Sequence, residues 1–156
     1  MQRDKNLYPL SHQHHNGLMA VLLLKKGLER KADAAVMGAF ILSIWDAELR
    51  IHFIKEEVYL HPDVLLIAEL MDLYEQMKTE HHQVRNMIDA IRNGLSTFEL
   101  LNEFHTLLEK HIRFEERTMF PFIEEQIQQE QLFALGKQLE HLESRACYDY
   151  PVKFWE

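Results

Sequence analysis

A short pattern occurs twice in the chain. The first copy reads His52-Phe-Ile-Lys-Glu56-Glu57 with Pro62 downstream, and the second reads His111-Ile-Arg-Phe-Glu115-Glu116 with Pro121 downstream, each residue displaced by 59 positions. On a helix, residues four apart lie on one face, one turn above each other. Each copy therefore presents an imidazole beside a carboxylate. Two such helices facing across a bundle core bring two nitrogens and two carboxylates to one point, an arrangement that holds a pair of metal ions. In that reading His52 and His111 are terminal ligands and Glu56 and Glu115 bridge the ions. Iron or manganese suits such a mixed imidazole–carboxylate set, and zinc also accepts it.

The rest of the chain supplies the helices this requires. Only 5 glycines and 4 prolines occur in 156 residues, which favours long helices over many strands and turns. Ser11 is the expected cap of a first helix, with Leu10 as its staple, continuing through Leu18–Leu24 to about Leu28. Asp33 is the expected cap of a second, from about Ala34 to Leu60, whose apolar residues Met37, Phe40, Ile41, Ile44, Trp45, Ile51 and Val58 recur mostly at three- and four-residue spacing. His61-Pro62-Asp63 ends it. A third helix covers Leu70 to Arg92 and stops at Asn93-Gly94. Ser96-Thr-Phe-Glu99 reads as a capping box for a fourth, running through His111 to a bend or end at Pro121. Residues 129–145 form a short fifth helix, and 149–155 are irregular and aromatic. The expected fold is all-α: an up-down-up-down four-helix bundle at about 10–125 with a short C-terminal helical extension at 126–156, in one domain.

Two further helices carry histidine doublets, His14-His15 and His81-His82. Adjacent helical residues point about 100° apart, so only one of each doublet aims squarely at a shared ion. His14 or His15 is the ligand on the first helix; His81 is the choice on the third, with His82 solvated. Counting about 1.5 Å per residue from the bundle ends, His14 and His52 lie roughly 24 and 28 Å along their helices, and His81 and His111 roughly 18 and 22 Å along theirs. These levels agree within about two turns, but from the other end His52 is eight residues from Leu60 and His81 nineteen from Pro62, so the third helix must start late and residues 62–68 are expected to form a turn or short helical piece under the bundle. Glu57 and Glu116 read as solvated neighbours, with ligation as the alternative, and Glu48 as an auxiliary ligand one turn before His52. His61, His105 and His141 lie off the proposed faces.

A formal charge of −8 argues against non-specific nucleic-acid binding. The longest apolar run, Leu18–Leu24, is too short to span a bilayer. A single cysteine, Cys147, and a charged start without an apolar signal core predict a cytoplasmic protein.

Together, Ser11-His-Gln-His14-His15-x-x-Leu18, His52-Phe-x-x-Glu56-Glu57, Glu80-His81-x-x-Val-Arg85 and His111-Ile-Arg-Phe-Glu115-Glu116 with Phe120-Pro121 resemble the hemerythrin-like, HHE cation-binding family over roughly residues 10–125. The resemblance implies an oxo- or hydroxo-bridged di-iron site with His14 or His15, His52, His81 and His111 as ligands and Glu56 and Glu115 as bridges. The oxygen-carrying members have five histidines, two of them one turn apart on the third helix; here Met77 and Arg85 flank His81 at that spacing. The implied site has an open position. The resulting expectation is a non-haem di-iron protein that binds or senses O₂ or NO, or handles iron. One alternative is a di-iron redox enzyme, peroxidase-like or repairing iron–sulfur sites, with Tyr59 or Tyr74 as the nearby hydroxyl. The other is a metal-free helical interaction module, which the cost of burying glutamates without a cation disfavours.

Overall fold

Asp4 starts the first helical segment. Its carboxylate accepts the Asn6 N–H at 2.8 Å and a 3₁₀ turn (Lys5–Leu7) leads into α1 (Tyr8–Glu29). The computed structural model describes residues 2–143 and 147–156, and among these the chain is helical with no strand. Ser11 is therefore not a cap. Pro9 suits the first turn, where a missing N–H costs nothing, so the helix begins earlier and Ser11 lies buried within it. Its hydroxyl donates to Glu116 Oε2 at 2.7 Å.

α1 closes with a turn in which Lys31 takes a left-handed conformation (φ 54°); Ala32 N bonds Gly27 O at 2.9 Å and Lys31 N bonds Leu28 O at 3.1 Å. Asp33 then caps α2 (Ala34–Ile44), accepting from Val36 N at 3.1 Å. α2 runs through a π-helical turn (Trp45–Leu49) into α3 (Arg50–Tyr59). After Tyr59 the chain forms a short helix α4 (Pro62–Leu65), a left-handed residue at Leu66 and a 3₁₀ turn (Ala68–Leu70) before α5 (Met71–Arg92). This is the late start that the histidine levels require.

α6 (Phe98–Phe114) is capped by Thr97, whose hydroxyl accepts from Leu100 N at 3.1 Å, one residue after the expected Ser96. Ser96 packs instead on α2: a Cβ on Gly38 would lie 2.3 Å from its Oγ, so that glycine permits the close approach. Pro121 does not end the helix. α6 continues through a second π-helical turn (Glu115–Met119) into α7 (Phe120–Gln126). In the π pattern each N–H reaches back five residues, as Phe120 N does to Glu115 O. Pro121 has no N–H to offer the next carbonyl, Glu116 O, and Arg3 Nη2 donates to that oxygen instead at 2.5 Å. α8 (Gln129–Leu139) follows; it stops short of the expected residue 145, since 140 and 141 form a turn and 142 and 143 are not helical, while 144 and 145 lie outside the described residues.

α1 packs on α6, α6 on α5 and α2 on α5, while α8 closes one end against the first 3₁₀ turn, α3 and α4. The apolar core is in two parts. One contains Val21, Leu24, Phe40, Phe53, Val84 and Ile112; the other contains Leu10, Leu60, Leu70, Met77, Phe120 and Leu135. Along α1, α3, α5 and α6 the sequence passes from one part to the other across a layer of histidines and glutamates. No described helix is long and apolar enough to cross a membrane.

The cap assignment is checked by chemical denaturation. Thr97→Ala is expected to lower stability by about 1 kcal/mol. If it costs nothing, Thr97 is not the cap.

Candidate metal centre

Six fully or nearly fully buried side chains form the layer between the two apolar parts: His14 from α1, His52 and Glu56 from α3, His81 from α5, His111 from α6 and Glu115 from the π-helical turn after it. They make two overlapping groups, His14–His52–Glu56–Glu115 and Glu56–His81–His111–Glu115, in each of which one ligand atom per residue lies within 4.8 Å of the others. Both glutamates belong to both groups. Glu56 Oε2 faces His52 Nε2 at 3.1 Å and His14 Nε2 at 3.6 Å, while its Oε1 faces His81 Nε2 at 3.1 Å. Glu115 Oε1 lies 3.0 Å from His14 Nε2 and 3.2 Å from His111 Nε2.

All four imidazoles are held the same way, by Nδ1. Gln13 Oε1 accepts from His52 at 2.7 Å, Glu80 Oε1 from His111 at 2.8 Å, Glu57 Oε2 from His81 at 2.7 Å and Glu116 Oε2 from His14 at 2.7 Å. A neutral imidazole that donates through Nδ1 presents a lone pair at Nε2. The Nε2 atoms of His14 and His52 are 3.1 Å apart, as are those of His81 and His111. Lone pairs thus point at one another and at carboxylates. Among the described residues Glu56 Oε2 and both Glu115 oxygens have no hydrogen bond. A cation between these atoms resolves the conflict, and the donor set suits one.

Without a cation, protons take its place. Burial disfavours the charged His111 imidazolium, but the Glu115 and Glu80 carboxylates outweigh it and raise the group to about 10. His14 is raised by Glu115, Glu116 and Glu56 against the same burial cost, and His81 by Glu56 and Glu57. Burial pushes Glu57 up, yet His81 and Arg85 pull it down to about 2; Glu116 reaches about 2 against its own burial through His14, Ser11 and Arg3.

The holding groups are arranged crosswise. The residue before His14, Gln13, holds His52, and the residue before His81, Glu80, holds His111. The residue after Glu56, Glu57, holds His81, and the residue after Glu115, Glu116, holds His14. Arg85 Nη1 donates to Glu57 Oε2 at 2.7 Å and Arg3 contacts Glu116 Oε1 at 3.4 Å, so each of these two carboxylates has an arginine behind it. Rings pack on both flanks, Phe53 on His81 at 3.7 Å between centroids and Phe120 on His14 at 5.4 Å.

Of the residues singled out in the sequence, His14, His52, Glu56, His81, His111 and Glu115 converge. His15 does not: it is exposed, one helical position round from His14, and outside both groups. His82 is exposed likewise. Glu57 and Glu116 are half-buried and outside the groups; each holds an imidazole. Glu48 is buried outside the groups and accepts from Asn16 Nδ2 at 3.0 Å. Tyr74 donates to Glu57 O at 2.6 Å, away from the cluster. Met77 lies in the apolar core, and Arg85 turns to Glu57. His61 caps α4 and His105 pairs with Asn102 Oδ1 at 2.9 Å. Sequence reasoning missed Gln13 and Glu80. Their signal was an acceptor side chain directly before His14 and directly before His81, on the two helices that lack the His-x-x-x-Glu pair.

Residues 6–123 match the model of a known family, the hemerythrin HHE cation binding domain. No curated protein and no solved structure matches the chain.

Two outcomes follow from the charges. His111 contributes stability to the metal-free protein that is complete below its ordinary value of 6.5 and is lost as pH rises toward about 10, whereas Glu57 and Glu116 contribute stability that is complete above 4.5 and is lost as pH falls toward about 2. Urea denaturation of metal-free protein should therefore show greatest resistance between those ordinary values, and adding a divalent cation at pH 7 in weak buffer should release protons. Cation uptake without acidification would contradict this charge assignment. Glu57→Gln and Glu116→Gln should each weaken cation affinity by roughly 10- to 100-fold in competition titrations against a chelator; unchanged affinity would show that these carboxylates do not tune the imidazoles.

Proposed function

We propose, from the premise that the chain belongs to the hemerythrin HHE cation-binding family, that it holds two iron ions and uses them to bind or sense a small diatomic molecule, O₂ or NO. The observation that carries this reading is the convergence of four Nδ1-anchored imidazoles on two shared, fully buried carboxylates. His14 and His52 would hold one ion, His81 and His111 the other, and Glu56 and Glu115 would bridge them within an up-down-up-down course of the four long helices. Manganese or zinc satisfies the same donor types; iron is favoured because the reading requires a cation that binds O₂ or NO. The iron pair, when bound, supplies the affinity for the diatomic. The protein's residues fix the imidazole orientation, exclude bulk water through the two apolar parts, and keep each Nδ1 proton hydrogen-bonded, His52 to Gln13, His81 to Glu57, His111 to Glu80 and His14 to Glu116.

Each ion receives two imidazoles in this arrangement. Met77 sits wholly in the apolar core and Arg85 is directed at Glu57, so neither supplies the extra nitrogen of the oxygen carriers. Fewer protein ligands leave room for an exogenous one. Binding is preferred over turnover because, of the two hydroxyls considered for proton delivery, Tyr74 is committed to a backbone carbonyl and Tyr59 lines a separate cavity with Val64, Leu65 and Leu135. A metal-free interaction module would have to neutralise Glu56 and Glu115 with protonated imidazoles that are themselves buried, at a desolvation cost of several kcal/mol per ion.

The test is an anaerobic titration of ferrous-loaded protein with NO and, separately, with O₂, followed by absorbance. A saturable spectral change with at least one gas, abolished in His52→Ala, is expected. Protein that takes up iron yet responds to neither gas would overturn the binding and sensing reading and leave iron handling.

A further inference from the structure

The two ends of the cluster are not equally reachable. At the His81–His111 end Phe53 lies flat on His81 with an interplanar angle of 8° and meets His111 edge-on at 5.4 Å. A small cavity of about 10 Å³, space for roughly one water molecule, lies beside His14 and His52 between Gly17, Leu49, Phe53 and Ile112; His111 also borders it, whereas His81 does not. Gly17 keeps it open: a Cβ there would stand 2.8 Å from Ile112 Cδ1. Beyond it is a second, larger cavity of about 290 Å³, walled by Phe40, Ser43, Ala47, Cys147 and Tyr150. The two share Asn16, Ile44 and Glu48 as their common wall.

The outer cavity owes one wall to residues beyond the matched 6–123 span. The segment 147–156 returns along α1 and α2. Phe154 packs edge-on against Phe40 at 4.9 Å and seats on Gly27, where a Cβ would lie 2.6 Å from its ring. Tyr150 meets the same Phe40 at 5.1 Å. Asn16 ties this segment to the bundle: its Oδ1 accepts from Cys147 N at 3.1 Å, and its Nδ2 donates to Glu48 Oε2 at 3.0 Å. Asn16 is two residues from His14, and Glu48 sits in the π-helical turn that precedes His52.

We propose that the C-terminal segment 147–156, fastened by Asn16, forms an antechamber through which molecules about as narrow as water pass the Asn16–Ile44–Glu48 constriction to reach the His14–His52 end of the cluster. This rests on the reading of the cluster as an iron centre open to a small ligand. The inner cavity sets the size limit. The outer cavity admits larger molecules that the constriction then stops.

The passage is tested by filling the antechamber from its exposed rim. Ala47 and Ser43 are both exposed and both line it, so Ala47→Trp and Ser43→Trp are expected to leave folding and iron content unchanged. Stopped-flow mixing of ferrous-loaded protein with NO should show association slowed by about tenfold or more in Ala47→Trp, with dissociation slowed in proportion and affinity preserved. Thr106→Trp, in the separate groove between α5 and α6, should match wild type. Wild-type rates in both Ala47→Trp and Ser43→Trp would overturn the proposal. If the protein takes up no iron, the iron reading fails on that count alone, and xenon-pressurised crystals decide the passage. Xenon beside Phe40 and Tyr150 in wild type, displaced in Ala47→Trp, supports it; no xenon there overturns it.

Discussion

Glu56 and Glu115 have no solvent exposure, and no lysine or arginine is paired with either among the described residues. A carboxylate in that position must be neutralised, and the only groups within reach are imidazoles. Protons on those imidazoles provide one solution and a pair of cations the other. Much of the surrounding architecture is compatible with the second. The Nδ1 acceptors leave Nε2 lone pairs pointing inward, and the two aromatic stacks fix the planes of His14 and His81. The separation of the core into two apolar parts gives the polar layer a dry boundary on both sides.

The same layer explains features that look like irregularities of the helices. The second π-helical turn begins at Glu115 itself, and the first ends one residue before Arg50, just ahead of His52. Wider turns at these points change the direction of side chains relative to a regular helix, and such turns are frequent at functional sites. The repeat does not extend to them: one π turn precedes its histidine and the other follows. Pro62 and Pro121 also diverge. Pro62 opens a short separate helix, whereas Pro121 lies within a continuous one because Arg3 satisfies the carbonyl it leaves unpaired. Equivalent residues in the two copies thus do different structural work, while the two histidine–glutamate pairs keep the same one.

Most of the helices were legible because their boundaries rest on local signals. Asp33, Gly94 and Pro62 act within one or two residues of themselves. The late start of α5 was legible for a different reason, since four histidines on four helices must share one level. What local patterns could not reveal depends on partners distant in sequence. Ser11 resembles a cap until Glu116, on another helix, is seen to accept its hydroxyl. His14 and His15 are indistinguishable until the helix is rotated against its neighbours, which buries the first and exposes the second. Glu57 and Glu116 were read as solvated because helical spacing alone does not show that each reaches a histidine of the other half. The family match covers the bundle, while the wall that residues 147–156 add to it became visible only in three dimensions.

The central claim is that the layer holds two cations bridged by Glu56 and Glu115. Anomalous diffraction at the iron absorption edge, from crystals of protein loaded anaerobically with ferrous iron, tests it most directly. The account predicts two peaks per chain, one against His14 and His52 and the other against His81 and His111, with both glutamates between them. A cluster without a peak, or a single ion that leaves either histidine pair unligated, would contradict it.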